Sequence, residues 1–529
     1  MRAPRSGDRL RATNQEPLYI TRKNLSGGQN DRLGSDIIDE STLTVAYNVD
    51  LGVPGKLDKR PGIDLIANET GAATKALRAY YPTGAAARLY RVEATNVLKW
   101  TGSGNWSAAL TSALTTGLDT TLIQGGESGE NEVIFLQNGT DNPQRINSSD
   151  TFQDLGATAT SPPKSLFNLY VNNRWWVLKN GFLYYSDAFS ADYSGAFNAA
   201  NGFRFSGYGD DKGLFAIRSD DSGSRFSIIA FMQNAILGLT PSATPAATDL
   251  PFVITTDHGA VDRKCIVQVG DDILYLAPDG IRSLKRTIQD HVQIGTSYPL
   301  SYPLREELDN IDWSHASKFH ATFWKDKFFF FFVQAGGSNI NRGWVYWPAL
   351  DPEKVGRSWA VITGWTITST AKFFVSGEEF LYGGSTDGKV YQMWVDGDDD
   401  NGTAISMQVE TRNEDFEKPA LYKYGGELEI CASGVGNYDL TVSASIDDGS
   451  YTTLGTMNLS GNSPTLPVAL PFDLASDNVI RQKFHLDSLG RFRRIKFKIT
   501  QATTNTSDKI RIFEYSCTTF PEVYDSEER

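Results

Sequence analysis

Residues 328–332 are five consecutive phenylalanines, Phe328, Phe329, Phe330, Phe331 and Phe332, with no polar residue among them. A strand turns successive side chains to opposite faces, so a run of this kind has to be buried on both. Left on a surface it would drive aggregation. The chain must therefore build sheets that are covered by other sheets on either side. Its composition agrees: 29 Phe, 22 Tyr, 11 Trp and 48 Gly in 529 residues favour strands and turns over helix. The expected class is all-β.

The pattern around the phenylalanine run recurs. A strand of aromatic and β-branched residues, a short turn with Asn, Asp or Gly, and a second strand can be read at 88–100, 131–146, 173–187, 227–239, 271–284, 326–347 and 378–394. Spread over 71–395, these hairpins recur at about 45 residues, the period of a four-stranded propeller blade. One small sheet cannot bury both its faces, whereas sheets stacked radially cover each other and leave only short edges open. A β-propeller of about six to eight blades is the expected architecture over 71–395; two or more β-sandwiches are the competing one.

Beyond the acidic turn at 396–403 the strands lengthen and alternate strictly, which predicts a separate β-sandwich over 403–520. In the strand after Arg493, Ile495, Phe497 and Ile499 share one face while Arg494, Lys496 and Lys498 share the other, a basic face expected to be solvated. Residues 521–529 read as a flexible tail and 1–70, rich in turn formers, as an extended N-terminal arm with a basic start at Arg2, Arg5, Arg9 and Arg11.

Chemistry is harder to find. The five histidines fall in no metal-binding spacing, and the chain lacks a nucleophile elbow, a phosphate loop and a dinucleotide fingerprint. The acidic string from Asp396 to Asn401 has oxygen donors at alternate places but lacks the glycine and distal glutamate of a calcium hand. No catalytic residue, metal ligand or cofactor is expected, and the chain is read as no enzyme. Cys265, Cys431 and Cys517 are too few and scattered for a disulfide framework. No stretch has the roughly 20 apolar residues that a membrane span needs, so no membrane insertion is expected.

One segment carries a resemblance. Gly27 and Gly28, then Asn48, then Gly55, Leu57, Lys59, Arg60, Pro61 and Gly62 form an opening similar to that of tail nozzle, or packaged-DNA stabilisation, proteins of short-tailed bacteriophages. The segment 410–430 is similar to the sandwich module that follows the propeller in those proteins. The resemblance implies a virion structural protein of the tail, assembled in the host cytoplasm as a homohexamer around the tail channel. Its implied partners are further copies of itself, the tail adaptor or portal-proximal ring and the tail fibres or spikes. Genomic DNA would be retained by the channel and pass without specific binding, and the net charge of −13 suits a wall along which a polyanion slides. The nine motif residues are implicated in assembly.

Two other functions fit a propeller. A receptor- or glycan-binding propeller at the tail tip would stack sugars on exposed tryptophans such as Trp175, Trp176, Trp344 or Trp347. A propeller glycoside hydrolase would need central carboxylates.

Overall fold

The computed structural model describes residues 16–67, 71–111, 114–129, 131–218, 226–246, 248–293, 298–350, 358–397, 399–434, 439–459, 479–501 and 510–522. The chain divides into two compact units, Gly62–Val395 and a second one formed from Met1–Pro61 with Asp396–Arg529.

The unit Gly62–Val395 is a β-propeller. Among the described residues, seven antiparallel sheets follow one another along the chain. Their first strands are Thr74–Tyr80, Thr121–Glu127, Phe167–Val171, Asp211–Arg218, Ile266–Val269, His320–Trp324 and Ile367–Val375. Each of these lies against the next or the turn before it, and Ile367–Val375 returns to Thr74–Tyr80, which closes the ring. The seventh sheet takes its fourth strand from the other end of the unit: Gly62–Leu65 pairs with Val390–Val395, Leu65 opposite Tyr391 and Gly62 opposite Val395. Hydrogen bonds between the two ends of the unit thus hold the ring shut.

Several connections within the sheets are two-residue turns with both residues at positive φ: Asn172-Asn173, Asn180-Gly181, Lys325-Asp326 and Ser376-Gly377. Such turns twist in the sense of the strands they join, which is why Asn and Gly, tolerant of positive φ, dominate them.

The cores of this unit lie between sheets. Trp175 stacks on Phe135 of the preceding sheet at 4.0 Å, and Trp176 faces the following sheet beside Leu214 and Ile228. The phenylalanine run splits in the same way. Phe330 and Phe332 meet Trp344 on the adjacent strand, while Phe331 packs on Trp365 and Phe329 on Trp394. All five phenylalanines are fully buried. So are Trp175, Trp176 and Trp344, with Trp347 4% exposed. This corrects the view of these four as sugar-stacking platforms: their rings fill the spaces beside and between the sheets, where aromatic area contributes most.

Among the described residues, the second unit holds two large sheets. One contains Val49–Asp50, Leu57–Lys59, Arg511–Pro521, Lys423–Ser433 and Val479–His485, with Leu18–Arg22 added to Arg511–Pro521. The other contains Val45–Tyr47, Met407–Glu410, Ile495–Gln501, Asp439–Ile446 and Thr452–Asn458. Phe497 of one sheet meets Tyr515 of the other at 5.7 Å, as in a sandwich. Ile495–Gln501 alternates buried and half-buried as its sequence predicts. Its basic face is less open than expected, since Lys498 Nζ lies 3.4 Å from Glu410 and both Lys496 and Lys498 sit over the Tyr451 ring.

The N-terminal region differs from an arm over 1–70. Leu18–Arg22 pairs along its whole length with the last strand, from Leu18 opposite Thr519 to Arg22 opposite Tyr515. Arg22 donates two 2.9 Å hydrogen bonds to Glu414. The last strand would otherwise leave its backbone groups unpaired along that edge, and the N-terminal segment supplies the partners. Residues 18–61 therefore belong to the sandwich unit, and 62–65 to the propeller. At the other end Glu522 N–H donates to the Tyr422 carbonyl at 2.7 Å, so residue 522 is held. The basic start at Arg2 to Arg11 and residues 523–529 lie outside the described residues.

Candidate functional site

The motif residues come first, because the sequence singles them out. In the sandwich unit, Gly27 N–H donates to the Ser41 carbonyl, and Gly28 turns the chain at φ +77°. A Cβ on Gly27 would lie 2.6 Å from that carbonyl oxygen, so no larger residue fits. Gly55 N–H reaches the Ser26 hydroxyl at 3.3 Å, and Leu57 is fully buried.

The polar members of the motif are buried together. Asn48, itself at φ +56°, accepts from Arg60 Nε through Oδ1 at 2.8 Å and donates through Nδ2 to the Ser406 carbonyl at 2.6 Å. Arg60 Nη1 donates to the Pro61 carbonyl at 3.0 Å and to Asp400 Oδ1 at 2.9 Å, while Nη2 reaches Asp400 Oδ2 at 2.6 Å. Lys59 Nζ donates to Gln501 Oε1 at 2.6 Å. The Asp400 carboxylate of the acidic string is thus taken up by Arg60. Gly62 starts the propeller's closing strand. These side chains hold the chain to itself, and any part they have in assembly acts through the fold they stabilise.

A second place offers more chemistry. Within the propeller unit the seven first strands surround an axial channel, in which two consecutive cavities of about 500 and 450 Å³ share Leu77, Arg78, Gln124 and Thr370. The larger cavity is lined by Lys75 and Arg78 of the first sheet, Arg263 and Lys264 of the turn before the fifth, and His320 of the sixth. Thr121, Ser369 and Thr370 add hydroxyls. No aspartate or glutamate is among its lining residues. The smaller cavity has Arg78, Lys372 and one carboxylate, Glu379.

The electrostatics of this wall are unbalanced. Lys264 Nζ has a partner, Asp119, at 3.1 Å. Among the described residues Lys75, Arg78 and Arg263 form no ion pair. Desolvation lowers the pKa of both Arg78 and Arg263, against the charges of Asp262 and Asp119 at Arg263; Arg78 is nonetheless exposed and Arg263 half-buried. His320 is 3% exposed, stacked on Phe331, and neither ring nitrogen has a hydrogen-bond partner among the described residues. Burial first, and then the charge of Lys264, push its pKa down to about 3, so the ring is neutral at ordinary pH. None of these residues was singled out from the sequence. Lys75, Arg78 and His320 come from first strands and Arg263 and Lys264 from a turn, all outside the hairpins read from the sequence.

The fold and this channel define a class: an all-β propeller with a β-sandwich unit and a cation-lined axis. No family model matches the sequence, and no curated protein matches it. Among solved structures, PorZ, an essential surface component of the type-IX secretion system of Porphyromonas gingivalis, matches at 12% identity and a TM-score of 0.37, over 74% of this chain and 46% of that one. A glycoside hydrolase family 43 arabinoxylan arabinofuranohydrolase from Bacillus subtilis matches at 8% identity and TM-score 0.21, over 85% of this chain and 96% of that one. An exo-β-1,3-galactanase from Phanerochaete chrysosporium matches at 7% and 0.23, over 87% of this chain and 100% of that one. Likenesses this distant transfer no activity. The expectation that the chain is no enzyme is corrected to an open question: two of these three structures are glycoside hydrolases, and no enzymatic role is established for this chain.

Proposed function

We propose that the chain is a nozzle-like structural subunit of a short-tailed bacteriophage tail, with several copies, six by the resemblance, arranged around the channel through which the genome leaves. The observation that carries this reading is the convergence of its motif. Asn48 and Arg60, which carry the resemblance, bond each other, and Arg60 and Lys59 reach Asp400 and Gln501, so this part of the motif ties residues 48–60 to the chain that follows the propeller, while Gly27 makes its own turn against Ser41. Propeller and sandwich also follow in the order that the resemblance implies.

A ring-forming subunit needs surfaces for its neighbours. The outermost strand of the fourth sheet, Phe252–Thr255, carries exposed apolar side chains at Phe252 and Val253, next to Leu250, which is 74% exposed. An open apolar edge of this kind is a liability on a monomer and an asset in an assembly. Genomic DNA would run along the axis of the ring of copies; the propeller's own cavities are of small-molecule size.

Immunogold electron microscopy of virions from the phage that encodes the chain tests the reading. Label confined to the tail supports it. Virions without label, or with label spread over the capsid, overturn it.

A further inference from the structure

The axial channel of the propeller has no part in the tail role, and its chemistry is specific. Three cationic side chains, Lys75, Arg78 and Arg263, face the larger cavity without an ion pair among the described residues, in a protein whose net charge is −13. They come from two elements on different sheets, so their convergence is a property of the ring and not of one basic stretch. Guanidinium and ammonium groups donate hydrogen bonds and accept none, and they are matched by oxyanions. The hydroxyl of Thr370 can donate as well, whereas that of Thr121 is already given to the Leu166 carbonyl. His320 lies in the same wall, its ring nine-tenths buried and both ring nitrogens closed off from solvent.

The geometry points to a binding site in the propeller channel for a small molecule carrying two or more phosphate groups, gripped by Lys75, Arg78 and Arg263. The number of cations calls for more than one negative charge. The volume, about 500 Å³, exceeds what one phosphate fills and falls in the range of small-molecule pockets. Thr121, Thr370 and Gln124, from the second and seventh sheets, reach the same space. A ligand here would therefore touch several sheets at once and tighten the ring. The site stands independently of the tail reading.

The test is titration calorimetry on the full chain with tripolyphosphate, alongside thermal unfolding with and without it, for the unaltered protein, Arg78→Gln and Arg263→Gln. The expected result is one saturable site in the unaltered protein, a rise in Tm with tripolyphosphate, and affinity weakened at least tenfold in each variant. Without the anion, both variants should melt at about the same temperature as the parent, because Arg78 is exposed, Arg263 is half-buried and neither makes an ion pair among the described residues; this separates lost binding from lost folding. Binding tighter for ATP than for tripolyphosphate assigns a ligand with an organic body, and equal or weaker binding assigns inorganic polyphosphate. No saturable heat, equal affinity in all three proteins, or an effect matched by sodium chloride at the same ionic strength would overturn the proposal.

Discussion

Arg60 shows why a buried ion pair is better read through its removal than its presence. Its side chain is fully buried and its fork meets Asp400 in two hydrogen bonds, with Asn48 and the Pro61 carbonyl taking further donors. Forming such a pair gains little over an apolar core, but removing one partner leaves the other charge stranded. Asp400→Asn is expected to destabilise the sandwich unit by about 3–5 kcal/mol, measured by urea unfolding. His320 gives a pH dependence of known sign. Its folded pKa of about 3 lies below the unfolded value near 6.5, so above that value it costs nothing, and as pH falls the unfolded chain takes a proton that the folded one refuses. At pH 4 this amounts to roughly 3 kcal/mol of lost stability. His320→Phe should flatten the stability profile between pH 6.5 and 4; a profile unchanged from the parent would show that His320 protonates in the folded state. Of these residues the sequence makes Arg60 legible, through its Arg-Pro-Gly turn, but not the burial of His320, which stands opposite Phe331 in one hairpin and meets Lys264 only across sheets.

At the scale of elements, the hairpins read from the sequence are the second and third strands of all seven sheets, such as Arg88–Glu93 with Asn96–Trp100 and Lys327–Phe332 with Arg342–Tyr346. Those strands are covered by sheets on both faces, so they are aromatic and easy to see. The first strands line the channel and carry Lys75, Arg78, Gln124 and Thr370, which is why the candidate binding site escaped the sequence. The closing strand Gly62–Leu65 was hidden for another reason: its partner, Val390–Val395, lies more than 300 residues away. Turn chemistry is the local signal that held. At Ser376, φ +53° beside Gly377, Ser376→Asn should stabilise the propeller by about 0.5 kcal/mol and Ser376→Val destabilise it by about 1–2 kcal/mol. Thermal melts of the two variants check both signs; shifts in the same direction would contradict the turn assignment.

For the whole molecule, the propeller, the sandwich and the passage from one to the other near residue 395 are legible in the change of strand pattern. The contribution of residues 18–61 to the sandwich is not, because no local pattern announces that Leu18 will pair with Thr519. Residues 62–395, expressed alone, should fold to a closed ring, and 66–395, without the closing strand, should melt several degrees lower; equal melting temperatures would mean that the ring does not depend on Gly62–Leu65. The proposed function rests on the motif of Gly27 to Gly62 alone, whose Asn48, Leu57, Lys59 and Arg60 are buried and so identify a fold more than a surface. The claim that the chain is a ring-forming tail subunit is tested most directly by its mass in solution. Sedimentation of the 58.3 kDa chain over a range of concentrations should reveal a species of about 350 kDa, six copies, alone or once the upstream ring is added. A chain that remains monomeric at every concentration and with every tail component would contradict it.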